Sequence, residues 1–430
     1  MRDVLLALFV AYAVVRALQH PWIGILAWTL LSIMNLHRYS WVLASMPVAA
    51  AIAGATLIGL LLSKDRKSLP ATRETVLLIM LMAWFCTTLP FSFNFEASLD
   101  QWKKVMKIDL MILVAIMVLH TRKHIMALAW VLAVSIGFYG FKGGLFTLAT
   151  GGAYRVWGPE GTYIEGNNEL ALALVTIIPI LRFLQLNAPQ RWVRLLLMAT
   201  MVLSAVAALG SHSRGALIAI ATMAFVMWWR SESKSIAGVF MAVAGVAMLA
   251  FMPDIWVARM ESIGDYQDDR SAMGRINAWR MAWNLASHNF FGGGFQIYDS
   301  GVFARYAPDP DMVHAAHSVY FQILGEHGFV GLFLFLLMWV MVWLTAGRLR
   351  HEGKARPETL WVSQLASMCQ VSMAGYTVGG AFLSLAYFDL PYNLLVLLVV
   401  ASRWLQTEGW RTDDVAAPAR APNGKLTVRA

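Results

Sequence analysis

Leu195-Leu-Leu-Met-Ala-Thr-Met-Val-Leu-Ser-Ala-Val-Ala-Ala-Leu209 has no polar face, whether read at a two-residue or a 3.6-residue period. A transmembrane barrel strand alternates polar and apolar side chains, so the stretch excludes a barrel. A helix without a polar stripe belongs in hydrocarbon. Arg191 and Arg194 stand just before it and Ser211-His212-Ser213-Arg214 just after it. Working outward, apolar runs of about 17 to 25 residues, each able to cross roughly 30 Å as a helix, recur from the N-terminus to about residue 407. The whole chain of 430 residues is 59% hydrophobic and 14% charged, with a mean hydropathy of +0.59, a balance that no soluble surface has. The expected fold class is all-α: a polytopic transmembrane helical bundle of about 12 spans with one large, partly helical outer loop.

The clearest apolar segments are 42–62, 75–92, 105–119, 124–148, 168–186, 192–209, 214–229, 236–252, 318–346, 361–388 and 391–407. Every second connection is basic: Lys64/Arg66/Lys67/Arg73, Arg122/Lys123, Arg191/Arg194, Arg230/Lys234 and Arg348/Arg350/Lys354/Arg356. The positive-inside rule assigns these to the cytoplasm and, by parity, 92–104, 149–167, 209–213, 253–317 and 389–390 to the outer face. Residues 4–36 are too long for one span and cramped for two, so the count is twelve or thirteen and the side of the N-terminus stays open. The first twenty residues carry Asp3 after Arg2 and lead into Pro21-Trp22 without a small-residue cleavage site, which predicts a retained span. Residues 1–407 form the transmembrane domain, including the 253–317 loop, and 408–430, rich in Ala, Pro and charge, form a cytoplasmic tail expected to lack structure. The net charge of +9 follows from the basic loops and does not point to nucleic acid. Cys86 and Cys369 both lie in apolar runs, which argues against a disulfide framework or a thiolate metal site.

Chemistry-bearing residues fall on the outer face. The 253–317 loop, about 65 residues, is too long for a simple connector. Within it Arg275, Trp279 and Trp283 recur at helical spacing, and Asn289-Phe-Phe-Gly-Gly-Gly-Phe295 predicts the helix stop. Arg214 opens a span, where a charge is costly unless it serves something or snorkels to headgroups. His314-Ala-Ala-His317-Ser318-x-Tyr320 begins the span after the loop, and its three-residue spacing places both imidazoles near one helix face at the outer surface. With Asp309 and Asp311 it reads either as a divalent-cation site or as a turn followed by one chemically active histidine. Arg155, Gly158, Glu160, Gly161 and the Glu165-to-Glu169 run read as polar loop and helix cap or as part of a site. Glu326 and His327 lie inside an apolar run, either functional or in a structural contact. Lys103, Lys104 and Lys107 on the outer face suit attraction of an anion.

Taken together these residues resemble the O-antigen ligase and polysaccharide polymerase superfamily of bacterial inner-membrane glycosyltransferases. The resemblance rests on Ser213-Arg214-Gly215, the Arg275-x-x-x-Trp279 helix, the Asn289–Phe295 glycine turn, and His317-Ser318-x-Tyr320 leading into Glu326-His-Gly-x-x-Gly331. It covers residues 150–345 best. Met1-Arg-Asp-Val, Pro21-Trp-Ile-Gly and Met34-Asn-Leu-His-Arg38 further resemble the exosortase-associated O-glycosylation ligase branch. One departure is Ser318, where many relatives have Asn.

The resemblance implies a bacterial inner-membrane enzyme with its site facing the periplasm. It would transfer a glycan preassembled on undecaprenyl pyrophosphate to a lipid A core sugar hydroxyl, without nucleotide sugar, metal or other cofactor. His317 would be general base, and Arg214 and Arg275 would clamp the pyrophosphate. Arg155, Trp279, Tyr320, His314 and Lys103 would contact substrate. Direct attack inverts the anomeric carbon, although Glu160, Glu165 and Asp299 keep a covalent route open. A polymerase or a protein O-oligosaccharyltransferase using the same donor is an alternative within the family. A lipid or solute transporter is the alternative outside it, though no internal repeat is visible.

Overall fold

The structure, a computed structural model, describes residues 2–43, 46–231, 233–261 and 270–413, and among these there are helices and no strands. Helices α1 (Arg2–Gln19) and α2 (Pro21–Met34) meet at His20, with Pro21 in the first turn where a missing N–H costs nothing. There follow α3 (Val48–Leu62), α4 (Arg73–Thr88), α5 (Phe95–Val118), α6 (Arg122–Ala149), α7 (Asn167–Asn187), α8 (Arg191–Gly210), α9 (Arg214–Arg230) and α10 (Lys234–Phe251). The long connection carries α11 (Asp254–Glu261), α12 (Arg270–His288) and α13 (Ser300–Tyr306). The chain then returns through α14 (Val319–Glu352), α15 (Leu360–Gly380), α16 (Asp389–Gln406) and α17 (Gly409–Asp413).

Six helices among the described residues are long and apolar enough to cross a membrane: α4 with the 3-10 turn that continues it, α6, α7, α8, α10 and α14. The multi-pass, all-helical class therefore stands, whereas the expected count of about twelve is not reached on length and composition. α2 and α3 have 14 and 15 residues, α9 has 17, and α16 carries Asp389, Asn393, Ser402 and Arg403. Residues 4–36 resolve into two helices. The segment 361–388 is a helix only to Gly380, so the last connection is 381–388 and not 389–390. Leu383, Leu385, Ala386, Tyr387 and Phe388 are buried in that connection, so the apolar run continues where the helix does not. Hydropathy alone cannot separate the two cases. Likewise 42–62 is helical only from Val48. Gly409–Asp413 is helical, with Trp410 edge-on to Trp404 and Arg356 over the Trp410 ring, so the expected lack of structure fails there; 414–430 lie outside the described residues.

Contacts sort the connections into two ends. At one end His20 Nδ1 meets Asp65 Oδ2 at 3.1 Å and His120 Nε2 donates to the Arg66 carbonyl at 2.8 Å. There too Arg403 donates to the Ser68 carbonyl at 2.7 Å and Asn187 Nδ2 to Gln364 at 3.0 Å. These are the basic connections. The other end gathers the turns at 89–94, 150–166, 211–213 and 381–388 with the long connection. Because His20 sits at the basic end and the Ala17 carbonyl lies against Gly59 near the end of α3, α1 starts at the opposite end. The side of the N-terminus, open in the sequence, is thereby placed with the long connection.

Small residues set the helix packing, as expected where apolar side chains gain nothing from leaving lipid. Gly375 and Gly379 of α15 face Val175 and Leu172 of α7 and Met223 and Ala219 of α9, drawing three helices together. α7 is buried along nearly its whole length. α10 is the opposite case: Ile236, Val239, Val243 and Val246 are exposed, the surface a helix presents to hydrocarbon. In the long connection α12 buries Gly274, Asn277, Ala278, Met281, Ala282 and Leu285 along one face, which packs on α14.

Candidate functional site

The first turn of α7 organises the end opposite the basic connections. Asn167 is buried and its Nδ2 donates to the Ser211 carbonyl at 2.7 Å, fixing the tight turn between α8 and α9. Ser213 caps α9 by accepting from the Ala216 N–H at 3.2 Å, and Arg214 is the first residue of that helix. His212 takes a positive φ of 57° and its Nε2 donates to the Gly152 carbonyl at 2.9 Å. The serine–histidine pair of this turn is thus spent on structure. Val156 N–H donates to the Gly210 carbonyl at 3.0 Å, so the exposed Arg155 is held beside the Arg214 turn from both sides.

Two residues on from Asn167, the Glu169 Oε1 lies 3.7 Å from His317 Nδ1. The first turn of α7 therefore touches both the Arg214 turn and the histidine. His317 has a φ of 41°, a left-handed backbone that a non-glycine residue adopts only when its surroundings hold it. Those surroundings come from α12. Trp279 Nε1 donates to the Ala316 carbonyl at 2.7 Å, and its ring stacks on Phe321 at 5.1 Å. Gly274 lies where a Cβ would meet the His314 ring at 3.0 Å, which places Arg275, the next residue of α12, beside the His314–His317 segment. The His314 and His317 rings meet edge-on at 5.2 Å, and His314 Nδ1 donates to the Ala315 carbonyl at 2.9 Å.

The other expected residues are placed as follows. Tyr320 gives its hydroxyl proton to the Thr377 carbonyl at 2.7 Å, tying α14 to α15. Lys103 is exposed on α5 and pairs with Asp100 at 3.1 Å. Trp283 is exposed, with Phe329 edge-on at 5.3 Å. Asp309–Pro310–Asp311 is a turn: Asp309 Oδ1 accepts from the Asp311 N–H at 3.1 Å, and Asn277 binds the Asp309 carbonyl and N–H. Among the described residues no three His, Cys, Asp or Glu side chains converge as a metal site would. Glu165 accepts from the Gly161 N–H at 2.7 Å and Asp299 caps α13, so both carboxylates have structural work. Glu169 is the residue the sequence undervalued. It was visible as a helix-cap acid, but no local pattern announces a partner so far along the chain.

Glu326 and His327 form a second constellation, fully buried. α14 breaks at Gly328, with a φ of 69°, and this frees carbonyls that the glycine turn then satisfies. Gly293 N–H donates to Gly325 and Gly294 N–H to Glu326, each at 2.9 Å, and Trp84 Nε1 donates to the His327 carbonyl at 2.9 Å. Gly292, with a φ of 72°, comes so near that a Cβ would lie 2.7 Å from the Glu326 carbonyl group. Glu326 accepts from the Tyr387 hydroxyl and from the Gln296 N–H at 3.2 Å. Burial, and then the Glu326 carboxylate, push the Tyr387 hydroxyl well above its ordinary pKa, so it stays a donor. With that proton committed, the Tyr387 oxygen accepts from His327 Nε2 at 3.0 Å, and His327 Nδ1 accepts from the Thr88 hydroxyl at 2.8 Å. Glu326 and His327 are thus linked through the Tyr387 hydroxyl.

A helical membrane bundle whose guanidinium- and imidazole-bearing segments converge at one end has the layout of an interfacial membrane enzyme. Residues 199–336 match the family model described as O-antigen ligase, a match that supports an O-antigen ligase-like superfamily and a glycosyltransferase-like enzyme in a membrane. That match takes in Arg214, Arg275 and His317. Residues 1–188, which include Asn167 and Glu169, match a second model described only as a family of unknown function. No curated protein matches the chain.

Proposed function

We propose that this protein moves a preassembled glycan from undecaprenyl pyrophosphate to a sugar hydroxyl of a lipid A core, at the periplasmic end of the bundle in a bacterial inner membrane. The observation that carries the reading is the first turn of α7, which joins the Arg214 turn to His317 at the end away from the basic connections. His317 takes the proton of the acceptor hydroxyl. The freed oxygen pair attacks the anomeric carbon, and the bond to the pyrophosphate oxygen breaks with its electron pair leaving on the pyrophosphate. Arg214 and Arg275 stabilise the charge that builds there, the role planar guanidinium forks fill best. No nucleotide sugar, metal or other cofactor enters this scheme, and direct attack inverts the anomeric centre. Arg155 beside the Arg214 turn and Lys103 on α5 attract the anionic donor. His314, Trp279 and Tyr320, whose Nδ1, Nε1 and hydroxyl respectively bond to backbone carbonyls, contribute ring surface to the walls.

The test is transfer of a pyrophosphate-linked glycan to purified lipid A core in detergent with EDTA, comparing the wild type with His317→Ala, Arg214→Ala and Arg275→Ala. Core product from the wild type, lost in all three folded variants, supports the reading. Glycan lengthened on the carrier instead makes the protein a polymerase, and transfer to an added protein makes it a protein O-oligosaccharyltransferase. Loss of wild-type transfer with EDTA, restored by a divalent cation, overturns the metal-free scheme.

A further inference from the structure

We infer that Glu169 is a positioning residue for His317, and that this carboxylate is what the segment of unknown function, residues 1–188, contributes to transfer. The inference rests on the reading of His317 as the base.

His317 Nδ1 is sealed from solvent and has no hydrogen-bond partner, although the side chain as a whole is 26% exposed, so its exposure lies on the rest of the ring. A neutral imidazole carries its proton on one nitrogen only, and a buried N–H without an acceptor costs about 1–3 kcal/mol. Glu169 Oε1, 3.7 Å from Nδ1 on a side chain only 15% exposed, is the acceptor the geometry offers. With the proton held at Nδ1, the Nε2 lone pair is free to take the proton of an acceptor hydroxyl. When it does, the ring becomes a cation beside a carboxylate that is already in place. The separation is long for a hydrogen bond, and catalytic contacts of this kind shorten once substrate is bound.

The support behind Glu169 is rigid. It stands in the first turn of a helix buried along nearly its whole length, where the helix N-terminus favours a negative charge. The opposing ring is fixed by its left-handed backbone and by the Trp279 bond to Ala316. The same segment supplies Asn167 to the Arg214 turn, Ser98 to the Phe295 carbonyl at 2.7 Å and Trp84 and Thr88 to His327. Residues 1–188 thus form the supporting wall of the site, and Glu169 is the member of that wall that reaches the reacting base.

The experiment uses the full chain in detergent with Glu169→Gln, Glu169→Asp and His317→Ala. Glu169→Gln is expected to lower kcat roughly 10²-fold, the low end of general-base contributions, with KM for donor and acceptor and the melting temperature unchanged. Glu169→Asp restores part of that loss. Wild-type rates in Glu169→Gln with His317→Ala inactive overturn the role of Glu169 and leave the base reading intact. Full transfer by His317→Ala overturns the base reading itself. Equal losses in Gln and Asp, with KM or melting temperature shifted, make Glu169 purely structural. A readout independent of the acceptor is 15N NMR of histidine-labelled protein, the His317 signal being the one missing in His317→Ala. Protonation at Nδ1 in the wild type, lost in Glu169→Gln, supports the inference, and protonation at Nε2 in the wild type overturns it.

Discussion

His317 with Glu169 and His327 with Glu326 are two imidazole–carboxylate pairs whose histidines stand ten residues apart in the chain, and they differ in one respect that matters. The second pair is buried, and Thr88, Tyr387 and Gln296 occupy its hydrogen-bonding positions. The first is part-exposed, has an Nδ1 without a hydrogen-bond partner and rests on a left-handed backbone. A satisfied polar network stiffens a helix break; an unsatisfied one retains the capacity to move a proton. By residue type the buried pair is the more unusual, since ionisable groups inside an apolar run invite a functional reading, yet its side chains are spent tying the α14 break to Gln296, Tyr387 and Thr88.

The contrast breaks most decisively at His317. His317→Ala is expected to lower transfer roughly 10²- to 10⁴-fold with the melting temperature unchanged, as read by product formation and thermal unfolding in the same detergent. Removing either arginine comes next. Arg214→Ala and Arg275→Ala each lose roughly 10²- to 10³-fold, and the corresponding lysine variants do not recover it, because an ammonium cannot replace a two-pronged fork on pyrophosphate.

The buried pair should respond in stability instead. Tyr387→Phe leaves Glu326 short of a donor inside the protein and is expected to cost about 1–3 kcal/mol, measured by thermal unfolding, while turnover per folded molecule holds. Abolished turnover in a folded Tyr387→Phe protein would erase the distinction drawn between the pairs. The smallest effect is assigned to Trp279→Phe. It keeps the stack on Phe321 but loses the bond to the Ala316 carbonyl, for about 1 kcal/mol of stability and a several-fold slower transfer as the His317 backbone loosens. An unchanged rate there would show that the left-handed turn is held without α12.

Parts of this site are legible in the residues. Arg275 and Trp279 lie on a helix as their spacing requires and the Asn289–Phe295 glycines end it, but the three-residue spacing of His314 and His317, which predicts one helix face, falls in non-helical chain before α14 begins at Val319, with His317 in a left-handed turn. What the indole of Trp279 does is another matter: the same spacing serves a substrate wall or a clamp on Ala316, and only the contact decides. Glu169 shows the same limit, since a helix-cap acid is identical in sequence whether or not a histidine from a distant segment faces it. The 381–388 connection shows a related limit, its apolar residues being buried inside the protein although they form no helix.

The amino-acid sequence by itself determined the helical membrane class, the gathering of basic connections at one end and the candidate residues at the other. Hydropathy and charge act residue by residue through transfer free energies, and those need no knowledge of partners. Tertiary structure alone decided which polar groups are consumed and which retain a free valence. That outcome depends on helices brought together by glycines such as Gly375 and Gly379, so that an acid on α7 meets a histidine at the mouth of α14. Hydrogen bonding acts over about 3 Å in space and is indifferent to distance along the chain.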